Sequence, residues 1–226
     1  MTLAGTAFLA MWHDIATEGE PEYNRWHTRE HMPERLGIPD FLVGRRYVDW
    51  SLAKYRYFTL YEGATLETFR SAPYLKRLNA PTEWSQRVQP YFLNFIRAAC
   101  RTVTSQGRGI GGALLTARVD LTGGASFSAS TERLADCIGG LDGVTGVHVG
   151  IADASITSVR TAETELKKTA GEAVFDGVVC VEGIGRRELA EVLPRVEALL
   201  TPEIGVAGSE NAIYDLAYVL TPEESV

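Results

Sequence analysis

The sequence predicts an α+β fold of two tandem ferredoxin-like βαββαβ repeats packed sheet to sheet. Three observations carry this: two segments of similar length repeat one order of elements, a glycine-rich stretch separates them, and apolar residues alternate wherever strands are expected. The 226 residues are 45% hydrophobic and 23% charged, enough apolar surface to offset the entropy of ordering a globular body. Residues 1–107 are expected to form one repeat and residues 108–226 the other.

In the first repeat, residues 6–15 alternate as a strand, with Leu9, Met11 and His13 on one face and Phe8, Ala10 and Trp12 on the other. Pro21 marks a turn, residues 22–36 read as a helix, and Gly37 and Pro39 stop it. Residues 41–50 and 55–62 read as the next two strands. Thr65 is placed to cap a helix that Pro73 kinks or splits. A helical piece at 83–89 leads into a fourth strand in the later part of 91–104.

The second repeat follows the same order: a strand at 113–121, a helix at 126–141, strands at 144–152 and 174–182, a helix at 186–200 and a strand at 212–220. Pro194 counts against a straight helix in 186–200. Between the repeats, Gly107-Arg-Gly-Ile-Gly-Gly112 spells G-x-G-x-x-G. A dinucleotide site needs that motif after a strand and opening a helix, whereas a strand follows it here, so it reads as a linker.

Charge and aromatic content divide unevenly between the halves. Residues 1–107 hold 13 Lys and Arg against 11 acidic residues, net +2; the remainder hold 9 against 18, net −9. Seventeen of the 21 aromatic residues and three of the four histidines lie within residues 1–107. One half is equipped for chemistry and the other is plain. A net charge of −7 argues against nucleic acid or an anionic membrane as partner. No apolar run approaches the roughly 20 residues that span a bilayer. Three scattered cysteines make no disulfide framework or zinc ribbon, and the first residues lack a basic leader, so a cytoplasmic location is expected.

The informative segment is residues 23–34. At about 100° per residue, Tyr23, Trp26, His27, Glu30, His31 and Glu34 fall on one helix side. The side with both aromatic residues is expected to pack inward, yet it carries two imidazoles and two carboxylates. Desolvating such groups is costly unless they are paired. The matching helix of the second repeat offers Phe127, Leu134, Ile138 and Leu141 and no histidine. On the third strand Tyr55, Tyr57, Thr59 and Tyr61 share a face, a row suited to an aromatic ligand. Arg45 and Arg46 point to opposite faces, so at most one lines such a pocket; Arg45 is taken as the residue that holds an anionic group.

These segments, W-H-x-x-E-H-x-P-E-R over 26–35 and P-D-F-L-V-G-R-R-Y over 39–47, resemble the dimeric α/β-barrel superfamily, most closely its EthD-type and polyketide-cyclase-type members. The resemblance covers residues 6–106; the second half matches in pattern, as a fused, diverged copy. It implies an intramolecular version of the dimeric barrel, with a pocket between sheet and helices and a small, often aromatic substrate. Activities in that superfamily include cyclases, dehydratases, isomerases, dehalogenases and cofactor-independent oxygenases, besides haem-binding members.

Three functional readings follow. In the first, His27 and His31 are the catalytic acid and base, Glu30 or Glu34 orients them, and His13, Tyr23, Trp26, Arg45, Tyr57 and Tyr61 bind an aromatic or polyketide-like substrate. That reading needs no metal and no cofactor and covers dehydratase, cyclase, isomerase and lyase chemistry. In the second, His27, Glu30 and His31 form H-x-x-E-H, with two metal ligands and a general base, and a third ligand comes from Glu62, Asp14 or His13. In the third, the histidines support a non-catalytic ligand-binding fold. His148 and Cys100 read as core residues. A fused repeat allows a monomer, while its edges allow a homodimer.

Overall fold

The computed structural model describes residues 2–167 and 175–225. The first half contributes strands β1 (Ala7–Ile15), β2 (Phe41–Val48), β3 (Tyr57–Gly63) and β4 (Phe92–Gly107). The second contributes β5 (Ala113–Leu121), β6 (Val144–Ala152), β7 (Gly177–Gly183) and β8 (Val206–Leu220). The eight strands close in the order β1-β3-β2-β8-β5-β7-β6-β4, every pair antiparallel. Each half alone has the ferredoxin-like order, β4-β1-β3-β2 and β8-β5-β7-β6.

The halves do more than stack face to face: their edges pair, which closes the sheet on itself. The two long strands make this possible. β4 pairs with β1 through Arg101 and with β6 from Cys100 to Gly107. It runs beyond the 104 end expected from alternation because its last residues serve the other half's edge. β8 pairs with β5 from Val206 to Asp215 and with β2 from Asp215 to Leu220. It starts before the expected 212, so its first part can complete its own half while its last part reaches across. Of the expected 174–182 strand, Val174 lies outside the described residues.

Helices cover the outer faces. α1 (Glu20–Trp26) continues through a π turn at His27–His31 into α2 (Met32–Leu36). A 3₁₀ turn at Leu66–Arg70 precedes α3 (Ala72–Leu78), which Ser71 caps through Tyr74 N, so Pro73 sits harmlessly in its first turn. α4 (Glu83–Val88) leads into β4. In the second half α5 (Gly124–Gly139) and α8 (Arg186–Leu199) pack on the sheet, and α8 runs through Pro194. Between β6 and β7 lie two short helices, α6 (Ala154–Thr157) and α7 (Ala162–Glu165). No helix among the described residues is long and apolar enough to cross a membrane.

The barrel interior is filled by Phe8, Trp12, Tyr47, Phe58, Ile96 and Tyr214. It also holds a buried ion network. Arg45 lies 2.5 Å from both Glu62 and Glu182; His148 Nε2 lies 2.9 Å from Glu182, and its Nδ1 lies 2.8 Å from Ser105 Oγ. The strand registers set Arg45 opposite Leu60 and His148 opposite Cys180, so Arg45 and Glu62 occupy the places of His148 and Glu182 in the other half. Glycines match as well. A Cβ on Gly5 would lie 1.9 Å from Gly63 O, and one on Gly111 2.3 Å from Gly183 O, so both sites require the bare backbone.

Candidate active site

The site lies outside the barrel wall, between the β1–β3 face and the α1–α2 helix. Strand alternation delivers the side chains: Leu9, Met11 and His13 from β1 and Thr59 and Tyr61 from β3 point toward the helix, while Trp12 and Phe58 point inward. The helix answers with His27, His31 and Arg35. Its π turn has a sequence cause. Pro33 offers no N–H to the Arg29 carbonyl and its ring crowds that oxygen, so the chain widens and Met32 N bonds His27 O instead.

These residues enclose a cavity of about 30 Å³, room for about two waters. Several buried polar atoms on its wall have no hydrogen-bond partner among the described residues: His13 Nδ1, His31 Nδ1, Thr59 Oγ1, Tyr61 OH and both amide atoms of Gln89. Such atoms are normally paired, so a wall carrying this many points to a polar ligand. The other ring contacts hold the imidazoles still. His13 Nε2 lies 3.1 Å from Tyr23 OH, His27 Nδ1 lies 2.9 Å from Tyr218 OH, and the His31 ring lies tilted against Trp26 at 4.2 Å between ring centres.

All three imidazoles are neutral at pH 7. Burial, then the nearby Arg46 charge, lowers His13 to about 3 and holds His27 well below the usual histidine range. Burial, then Arg35, does the same to His31. Burial also lowers the Lys167 ammonium to about 8, against the opposing pull of Glu163. The Tyr61 phenol is pushed well up by burial and stays protonated. The cavity thus offers neutral bases beside fixed cations and hydroxyl donors.

No family profile matches the chain, and no curated protein matches it in sequence. Solved structures do. An anthrone oxidase-like protein superposes with a TM-score of 0.62 at 10% identity, covering 100% of this chain and 98% of its own. A candidate monooxygenase from Fusobacterium nucleatum gives 0.59 at 8% identity, covering 97% and 96%. Chlorite dismutase from Candidatus Nitrospira defluvii, in complex with imidazole, gives 0.57 at 7% identity, covering 95% and 92%. This chain has the dimeric α/β-barrel fold.

Within that barrel the expected site residues separate into two groups. His13, His27, His31 and Tyr61 meet at the cavity, with Tyr23 and Trp26 directly behind the imidazoles. Tyr57 stacks on His13 at 5.3 Å but gives its hydroxyl to Glu20. Arg45 is placed elsewhere: β2 alternation turns it into the barrel interior, onto Glu62 and Glu182. Arg46 is the one that faces the helix, over the Tyr23 and Tyr57 rings at 4.8 and 5.1 Å. Tyr55 leaves the tyrosine row because a positive φ of 62° turns it toward Arg118. Glu30 touches neither catalytic candidate. It accepts from Thr82 Oγ1 at 2.6 Å and from Trp26 Nε1 at 3.1 Å, so it positions the indole that lies against His31. Glu34 binds Arg35 and Arg77.

The third metal ligand does not materialise. Glu62 is held by Arg45, and Asp14 by Tyr55 N, Arg56 N and Asn94; His13 bonds Tyr23. Among the described residues no three His, Cys, Asp or Glu side chains converge as a metal site.

Among the residues on or beside the wall that the sequence did not single out are Arg35, Gln89, Arg97, Glu163, Lys167 and Tyr218. Arg35 lies inside the W-H-x-x-E-H-x-P-E-R segment, one helix turn after His31, and was open to notice. Lys167 and Glu163 come from the β6–β7 connection, and Tyr218 from β8. They reach the first half only because β6 pairs with β4 and β8 with β2.

Proposed function

We propose that the protein is a small-molecule enzyme whose cavity moves a proton on an enolisable aromatic or polyketide-like substrate, in the manner of a cyclase, isomerase, dehydratase or lyase. Its first-half helix is read as EthD-like and polyketide-cyclase-like, and residues 1–107 and 108–226 as tandem copies of one unit. The observation that carries the reading is the convergence of His31 Nδ1 with Tyr61, Thr59 and Gln89 groups, all without a hydrogen-bond partner among the described residues, on one cavity that His13 also lines.

In this reading His31 is the base. Trp26 fixes its ring from one side, and Glu30 fixes Trp26. Its neutral state leaves a lone pair to take a proton. The resulting enolate oxygen accepts from Tyr61 and Thr59, buried hydroxyls that need no reorganisation to donate. The protonated His31 then returns the proton to the substrate, and neutral His27, tied to Tyr218, acts as a hydrogen-bond donor to the developing negative charge. Before substrate arrives the Arg35 charge disfavours a protonated His31. A developing enolate offsets that charge, so the base strengthens as the reaction proceeds. The substrate supplies its own electron sink and the step itself calls for no cofactor. Entry of a ring system displaces side chains that narrow the cavity.

The test is a panel of hydroxylated, enolisable aromatic ketones, with anthrone first because an anthrone oxidase-like protein shares the fold. Conversion is expected with the wild-type protein and is expected to vanish in His31→Ala and His27→Ala variants that retain the native circular dichroism spectrum. Full conversion by both variants would remove the acid–base assignment.

A further inference from the structure

We propose that this cavity selects anions: its substrate carries a carboxylate or phenolate, held by Lys167 and Arg35. The inference rests on the reading above only for the place where substrate binds. Among the described residues, the charged side chains on the wall are Arg35, Arg97 and Lys167 against the single carboxylate of Glu163. Glu163 pairs with Arg35, which Glu34 also holds at 2.7 Å, and lies 3.6 Å from Lys167, so the cation left without a full partner is Lys167. Arg97 spends its donors on the neutral carbonyls of Thr157 and Val159, at 3.1 to 3.3 Å, so its charge has no carboxylate within ion-pair distance among the described residues. Lys167 is buried, with the Phe95 and Phe92 ring centres 4.6 and 5.3 Å from Nζ. Its hydrogen bond among the described residues, 3.4 Å to Glu163 O, leaves ammonium donors over. Buried cations are expensive unless an anion meets them.

The fold does not require these charges. The equivalent β2–β3 connection of the first half is a short hairpin loop over residues 49–56. The β6–β7 connection is much longer and is fastened across the first half, where Asp153 N bonds Ala99 O and Ala162 N bonds Asn79 Oδ1. That crossing is what brings Glu163 and Lys167 to His31's cavity. A planar carboxylate seated there accepts from Lys167 and Arg35 while its ring lies against Phe92 and Phe95. The Tyr61, Thr59 and Gln89 donors, without partners among the described residues, serve a second oxygen.

Isothermal titration of the full chain at pH 7 with salicylate and with its neutral isostere salicylamide tests this. Salicylate is expected to bind at least about tenfold more tightly, the worth of one charge-assisted hydrogen bond. Lys167→Gln and Lys167→Met should abolish that preference by weakening salicylate at least about tenfold more than salicylamide; Lys167→Met keeps the apolar packing if the glutamine is poorly tolerated. Equal affinity for the two ligands, a preference that survives both variants, or binding of neither ligand would overturn the proposal. Equal affinity would leave the acid–base reading standing. Conversely, intact salicylate selectivity with undiminished turnover in His31→Ala would overturn only the acid–base reading.

Discussion

Three uncharged imidazoles around one cavity make stability depend on acid. His13, His27 and His31 all have folded pKa values below the unfolded value, so the unfolded chain binds more protons. Stability is therefore undiminished above about pH 6.5 and is lost as the pH falls toward the folded values, about 3 for His13. Each group is expected to contribute a loss of about 1.4 kcal/mol per pH unit below about 6.5. Urea unfolding at pH 7.5 and pH 5 measures this, and His13→Phe should flatten the slope by roughly a third. At this scale much of the site was legible. Alternation placed His13, Met11 and Leu9 together, and helical spacing placed His27 with His31. Glu30 was assigned to the histidines because it shares their helix side; Thr82 and Ser85, which draw it to α4, are distant in sequence. The choice of Arg45 over Arg46 needed the direction of the pleat, which alternation alone does not fix.

The helix that carries the histidines is interrupted by its own sequence. Pro33 makes an uninterrupted α-helix over 22–36 unattainable, and the π turn at His27–His31 is the local solution. Pro33→Ala supplies the missing N–H to the Arg29 carbonyl. The variant is expected to gain up to about 3 kcal/mol in unfolding free energy while losing turnover, as His27 shifts relative to His31 and Tyr218. Denaturation curves and steady-state kinetics on the same preparation check both halves of that statement. The proline was visible in the sequence as a helix disturbance, but the form of the disturbance was not. The β6–β7 connection was less legible. Its helices have only four residues each, too short for a periodic signal, and their role lies in contacts with Ala99, Arg97 and Arg35 of the other half.

At the scale of the molecule, the repeated order of elements was enough to foresee two ferredoxin-like sheets. The intramolecular dimeric α/β barrel that the resemblance implied is the fold the strands form; which edge strands meet was not legible, since alternation within β4 and β8 says nothing about the partner of each. Edge closure explains why a plain, acidic half takes part in the site: β8 brings Tyr218 beside β2, and β6 carries the crossing connection along β4. The matching groups Arg45, Glu62, His148 and Glu182 sit inside the closed wall. Arg45→Met would strand two buried carboxylates and is expected to cost about 3–5 kcal/mol by urea denaturation, part of it recovered when Glu62→Gln is added. Neither change should alter the preference for salicylate, because the network lies on the inward face of the sheet and the cavity on its outward face, where Thr59 and Tyr61 point. The central claim is that the outer cavity, through His31, moves a proton. The most direct measurement is deuterium incorporation at the acidic methylene of anthrone in D₂O, followed by proton NMR under anaerobic conditions. Wild-type protein is expected to accelerate exchange, and His31→Ala to lose at least about a hundredfold of that acceleration with its unfolding midpoint preserved. Equal acceleration by the two proteins would contradict the account.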